Sequence, residues 1–296
     1  MTGIILLDKQ QNITSFSACN RVKHALAVKK AGHTGTLDPM ATGVLTIALG
    51  SATRFIELLP VHDKAYTARV KLGVTTDTLD ITGNVISQSE VSVSEKELEE
   101  AVMKFKGDIM QKPPMYSAVF KDGKRLYELA RQGVEVERDE RPVTVFDIKA
   151  SDFDGVEFTL DVSCSAGTYI RTLCDDIGKK LGCGAVLTEL RRTKANGFDI
   201  AECHTLEEIK EAAENGSVEK FIIPVEKCFE CYDGVTVSEG QAKRFSNGGE
   251  LSLDRINCNF ENTLYRVYSP DSKFLGLGLA DTESKVLKVR RLLVNA

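Results

Sequence analysis

Tyr66-Thr-Ala-Arg-Val-Lys-Leu72 decides the class of fold. Tyr66, Ala68, Val70 and Leu72 fall on one face of an extended chain, and Thr67, Arg69 and Lys71 on the other. Such alternation describes a strand with one packed and one polar face. Val156, Phe158, Leu160 and Val162 repeat it, in a run that heads towards Thr168-Tyr-Ile-Arg171. Ile4–Leu7 reads as a buried strand, and Val44–Leu49 and Val186–Leu190 as further strands. Helical spacing lies between them. Ser15 caps a helix with Phe16, Cys19, Val22 and Leu26 on one face. Ser94-Glu-Lys-Glu97 is a capping box, and Thr205 caps a later helix. Leu173, Ile177 and Leu181 keep helical spacing up to Gly182. Several strands follow one another directly. The expected fold is therefore α+β with a mixed, mainly antiparallel sheet, not a doubly wound parallel one.

After about Val225 short strands and turns dominate, with one helix near Glu239–Phe245. This predicts two domains, residues 1–225 and a small β-rich domain at 226–296. A chain of 296 residues is long enough for both.

With 42% apolar and 27% charged residues, the composition is that of a soluble globular protein. No apolar run approaches the roughly 20 residues of a spanning helix, and Met1–Asp8 is too short for a signal peptide, so a cytoplasmic protein is expected. Cys228-Phe-Glu-Cys231 lacks the second pair or the histidines of a zinc site, which leaves free thiols as the reading. With no His-Glu-x-x-His pair and no ligand cluster, no metal centre is expected. A net charge of −5 argues against a nonspecific nucleic-acid coat, so positive charge must be local. It gathers around Arg21–Lys30, between Gly107 and Gly133 (Lys112, Lys121, Lys124, Arg125, Arg131), at Arg191–Lys194 and at Lys285–Arg291.

Lys30-Ala-Gly-His-Thr-Gly-Thr-Leu-Asp-Pro-Met-Ala-Thr-Gly43 has no period, and its glycines and proline mark a loop. It fits neither a phosphate-binding loop nor a dinucleotide fingerprint. Pro39 biases Asp38 towards extended backbone, and Gly35 and Gly43 permit sharp turns on either side. Asp38 either faces a ligand or bonds to its own turn. Tyr169 and Arg171, read as continuing a strand, share a face that either grips a planar base or divides between core and surface. Tyr66, on a packed face, reads as core or as site.

The string Ala31–Gly43 resembles the signature of TruB-type pseudouridine synthases of bacterial kind. Lys64-Ala-Tyr66, Gly73 with Thr75-Thr-Asp77, Gly107-Asp108, Pro114-Met-Tyr-Ser-Ala118, Lys124-Arg-Leu-Tyr-Glu128, Ala130-Arg-Gln-Gly133, Cys164–Arg171 and Leu190-Arg-Arg192 follow in the family's order. The likeness spans about residues 3 to 230. It implies the pseudouridine synthase fold, a PUA-like C-terminal domain, and isomerisation of uridine 55 in the T-loop of tRNA. Asp38 matches the catalytic carboxylate and Arg171 its partner, which typically lowers such a pKa by about 1–3. Tyr66 matches the tyrosine that stacks on the base and takes the C5 proton. Tyr169 and Leu190 match pocket walls, and His33 a histidine that fills the T-loop. Lys124 and Arg125 lie in the insertion, near residues 107–133, that grips the T-stem-loop. The family implies a monomer that needs no cofactor and no protein partner. A tRNA-folding chaperone, or an RNA-binding protein with little catalysis, is the alternative.

Overall fold

The computed structural model describes residues 1–121 and 123–293. Asp122, inside the basic insertion, and residues 294–296, the end of the expected second domain, lie outside the described residues. The chain opens with β1 (Gly3–Lys9), α1 (Ser15–Ala25), β2 (Ala31–His33) and β3 (Thr42–Leu49). β4 (Lys64–Leu72) leads through the antiparallel pair β5 (Val74–Thr76) and β6 (Val85–Gln88) to α2 (Glu95–Met103) and β7 (Gly107–Gln111). The insertion carries β8 (Phe120–Lys121), β9 (Lys124–Arg125) and α3 (Leu126–Arg131). Then come β10 (Arg141–Ser151), β11 (Glu157–Cys164), α4 (Ile170–Leu181), β12 (Ala185–Ala195), β13 (Phe198–Asp199) and α5 (Leu206–Glu214).

Among the described residues, one nine-stranded sheet runs β1-β3-β12-β4-β11-β10-β7, with β2 added to β3 and β13 to β12. Every pairing in it is antiparallel except β3 with β12. The mixed, mainly antiparallel α+β architecture expected from the alternating strands is the one observed. Tyr66, Ala68, Val70 and Leu72 of β4 pack with Phe158, Leu160 and Val162 of β11 and with Leu173 and Ile177 of α4. β1 is covered on both faces, which is why it reads as continuously apolar. Ile5 and Leu7 meet α1 and α5 through Val22 and Ile209. Ile4 and Leu6 turn the other way, towards Phe55, Phe229 and Phe274.

β14 (Gly234–Thr236), α6 (Glu239–Ser246), β15 (Leu251–Ser252), β16 (Leu264–Tyr268), β17 (Phe274–Asp281) and β18 (Val286–Leu292) build a second sheet, ordered β14-β16-β17-β18-β15. It has its own core around Val235, Phe245, Val267 and Leu287. It is joined to the back of β1 by aromatic packing: the Phe55 ring centroid lies 5.9 Å from that of Phe229 and 6.1 Å from that of Phe274.

Local expectations fail in two places. Thr14, not Ser15, caps α1, accepting from Ser17 N at 3.0 Å. Ser15 is already helical, and the buried face is Ser15, Ala18, Cys19 and Val22, which turns Phe16 outward at 70% exposure. Tyr169 and Arg171 do not lie on a strand. β11 stops at Cys164, Gly167 turns the chain with φ +88°, and α4 begins at Ile170. Tyr169 is thus the cap of α4 and Arg171 its second residue.

Gly43 shows why this sheet accepts little change. It takes φ +102°, and a Cβ there would lie 2.2 Å from the Arg192 carbonyl oxygen on β12. Gly43→Ala is expected to cost about 2–4 kcal/mol through left-handed strain and backbone collision. An unchanged urea midpoint would contradict this.

Candidate active site

Asp38 sits on the loop between β2 and β3, and that loop is tethered on each side of it. Leu37 N donates to Ser15 Oγ at 2.8 Å, and Ser15 Oγ donates to Leu37 O at 3.0 Å. Pro39 O accepts from Asn12 N at 2.7 Å and from Lys9 Nζ at 3.4 Å. Lys9 is fully buried at the end of β1 and also donates to Ile13 O at 2.8 Å. Burial pushes its pKa down to about 8, against the opposing pull of Asp38.

Arg171 reaches Asp38 from the first turn of α4. Its Nε lies 2.9 Å from Asp38 Oδ2. Nη1 donates to Thr78 O at 3.0 Å and stands 3.7 Å from Asp80 Oδ2, and Nη2 donates to Tyr116 O at 2.7 Å. One guanidinium therefore joins the Asp38 loop, the turn after β5 and the insertion. Asp80 is itself buried, and accepts from Thr82 N at 3.0 Å and Thr78 Oγ1 at 2.9 Å.

The Asp38 pKa moves opposite to expectation. It is raised, because burial outweighs the stabilising guanidinium of Arg171 and the Asp80 carboxylate adds to the rise. Asp38 keeps 36% of its side-chain surface exposed, but that surface lines a cavity. Water confined there solvates a charge less well than bulk water does.

That cavity, about 270 Å³, brings together Asp38, Tyr66, Tyr169, Arg171 and Leu190, with Lys64 at its edge. Asp38 is the one carboxylate among its described lining residues. Tyr66 is buried, and burial raises its phenol pKa. Tyr169 is fixed through its backbone: its N donates to Gln111 Oε1 at 2.7 Å, and Gln111 Nε2 donates to its O at 3.1 Å. Three predicted residues do not line the cavity. His33 stands on β2 with its Nδ1 sheltered and without a hydrogen-bond partner among the described residues, and burial with the nearby Arg192 charge lowers its pKa. Lys124 and Arg125 are exposed on β9, with the Arg125 guanidinium 5.2 Å from the Phe120 ring centroid.

Residues 23–170 match the TruB family pseudouridylate synthase N-terminal domain. Residues 171–230 match the tRNA pseudouridylate synthase B C-terminal domain, and 234–293 the pseudouridine synthase II TruB C-terminal domain. The tRNA pseudouridine synthase B of Clostridium tetani is 44% identical over 299 residues, covering 99% of this chain and 100% of that protein. That of Azoarcus sp. is 47% identical, covering 98% and 94%.

The chain belongs to the TruB family of pseudouridylate synthases.

Two solved structures share the fold of this TruB-family chain. A chain of an H/ACA ribonucleoprotein bound to a substrate RNA containing 2′-deoxyuridine matches with TM-score 0.73 and 25% identity, covering 99% of this chain and 85% of that one. A chain of a Cbf5-Nop10-Gar1 complex matches with TM-score 0.75 and 27% identity over the same shares.

The TruB-family site also contains residues that sequence reading missed. Asp80 looks like an ordinary turn aspartate in Thr78-Leu-Asp-Ile-Thr82, and no local signal marks it as buried beside Arg171. Lys9 ends an apolar strand, where a lysine reads as the first solvated residue. Gln111 and Ser15 act through backbone contacts across 58 and 22 residues, which spacing does not reveal.

Proposed function

We propose that this TruB-family chain converts uridine 55 in the T-loop of tRNA to pseudouridine, alone, in the cytoplasm and without a cofactor. The observation that carries this reading is the Asp38–Arg171 pair at 2.9 Å in a base-sized cavity walled by Tyr66. The uridine must leave the stack, at a cost of a few kcal/mol. Stacking on an aromatic ring returns about 1–3 kcal/mol per base, a role that falls to Tyr66. His33, its pKa lowered and its ring neutral, fills the space left in the loop.

Asp38 supplies the charge that assists cleavage of the C1′–N1 bond, by attack or by aiding elimination. The freed uracil turns between Tyr66, Tyr169 and Leu190 and rejoins through C5. The C5 proton then passes to the Tyr66 oxygen. The reaction is an isomerisation with no net gain or loss of electrons, so a carboxylate, a proton acceptor and close walls suffice.

Tritium release from 5-³H-uridine in a T-arm stem-loop tests the substrate. The T-arm is expected to react far faster than an unrelated hairpin, and equal rates would remove the tRNA assignment. The insertion can be tested through salt. No carboxylate pairs with Lys124 or Arg125 among the described residues, whereas Arg191 is taken up by Asp8 at 2.7 Å and Lys288 by Asp281 at 2.8 Å. Charge reversal at Lys124 and Arg125 is expected to weaken RNA binding and to reduce the salt slope by about 1 for each lost phosphate contact. An unaltered slope would take the insertion off the binding face.

A further inference from the structure

Arg192 takes no part in the steps above, yet it is fully buried on β12. Its Nε donates to Val44 O at 2.8 Å and its Nη2 to Gly35 O at 3.0 Å. Nη1 has no acceptor among the described residues. Nor does any described carboxylate pair with this guanidinium, unlike Arg171, which meets both Asp38 and Asp80. A permanently charged group buried without a counter-ion is costly, and only a compensating use retains it.

The structure supplies a candidate for that use. Arg192 is the cross-strand partner of Tyr66 in the β4–β12 register, and both side chains are buried. From that position its charge is the largest influence opposing burial on the Tyr66 phenol. The other groups that act on this phenol are the Cys164 thiol and Asp38. Lys9, Lys64 and His33 surround Arg192, and its charge lowers the pKa of each. Asp38 acts on Lys9 and Asp63 on Lys64, but no described carboxylate pairs with Arg192 itself, and Gly35, tied to Arg192, lines the cavity together with Tyr66.

We propose that Arg192 is a positioning residue for the isomerisation, holding the Tyr66 hydroxyl at the cavity wall and stabilising the phenolate that accepts the C5 proton. This rests on Tyr66 being the base. In the step concerned, the C5–H proton moves to the phenolate oxygen and the C–H electron pair passes into the ring. N1, released from the sugar, takes a proton from solvent, and the Tyr66 hydroxyl returns its own to solvent, which restores the phenolate and leaves the proton count unchanged. The fixed cation offsets the cost of ionising a phenol in a buried site, and the phenolate in turn gives the cation its missing partner.

Arg192→Gln is expected to slow single-turnover pseudouridine formation about 10- to 100-fold with RNA affinity unchanged. Placing 3,5-difluorotyrosine at position 66, a more acidic phenol, should recover most of that loss, which a purely structural role for Arg192 would not allow. Arg192→Lys keeps a cation opposite Tyr66 and should lose less. Failure of fluorination to restore the glutamine variant, or a folded lysine variant as slow as the glutamine one, overturns the proposal. Should the glutamine variant not fold, the lysine variant decides. A full rate or a loss recovered by fluorination supports the proposal, and a loss that fluorination leaves untouched overturns it. Tyr66→Phe in the otherwise unsubstituted chain tells the two levels apart, because a full rate there removes Tyr66 as the base and takes the role of Arg192 with it.

Discussion

Asp38→Asn should abolish pseudouridine formation, lowering the rate by about 10⁴-fold or more, while the protein still binds the T-arm. The substitution exchanges one carboxylate oxygen for an amide in a cavity whose described lining offers no second carboxylate. The remaining oxygen can still accept from Arg171 Nε, now 2.9 Å away, so the loop and cavity keep their shape. Loss of tritium release with binding intact is the expected result. Release at the parent rate would remove Asp38 from the chemistry, and loss of both would point to a damaged loop. The acid limb of the parent's rate profile should lie above the ordinary carboxylate range, because the Asp38 pKa is raised and the ionised form is the active one. Stability runs with the opposite sign. A carboxyl with a raised folded-state pKa binds more protons folded than unfolded. Its charge therefore destabilises the fold above the folded pKa, and that cost fades as pH falls towards 3.8. Asp38→Asn should be at least as stable as the parent at pH 7, with a margin that narrows on acidification. Urea melts at several pH values read this, and a margin that widens on acidification would reverse the sign assigned to Asp38.

How much of this was legible in the sequence depends on where each cause lies. The alternation of β4 and β11 is written residue by residue, because a two-residue period on a half-buried sheet admits one reading. Capping boxes at Ser94 and Thr205 are equally local, and both form as spelled. Arg171 shows the boundary of such reading. Its neighbourhood of Asp38, Tyr66 and Tyr169 followed from the ordered family motifs, but its placement on a helix did not, because the helical run of Leu173–Leu181 carries no signal for the extra turn at Ile170. The rise of the Asp38 pKa was illegible for a deeper reason. A pairwise view counts Arg171 and stops, whereas the outcome depends on how far the chain as a whole removes the carboxyl from water and on Asp80, 42 residues away in sequence, meeting the same guanidinium. Arg192 is hidden in the same way: Leu190-Arg-Arg192 shows two similar arginines, yet one pairs with Asp8 at the surface and the other is fully buried opposite Tyr66.

Arg171→Met is the substitution expected to damage this protein most. It removes a donor set shared by Asp38 Oδ2, Thr78 O and Tyr116 O, and the cation that stands 3.7 Å from Asp80. Breaking a buried pair from one side leaves the surviving charge without compensation, at about 3–5 kcal/mol, and here two carboxylates are left. Activity should fall with stability, since Asp38 then loses the main influence holding its pKa down and its acid limb moves further up. Arg171→Lys keeps the charge but lacks the planar fork, so it cannot reach Asp38 and both carbonyls at once. It should be the milder variant in urea and still slow in catalysis. The coupling to Asp80 supplies the decisive check. If Asp80 is stabilised chiefly by Arg171, adding Asp80→Asn to Arg171→Met removes one of the stranded charges, and the double variant should be more stable than the sum of the single losses predicts. Additive losses would mean that the threonine donors Thr78 and Thr82 carry Asp80 on their own. The guanidinium would then serve Asp38 and the insertion alone.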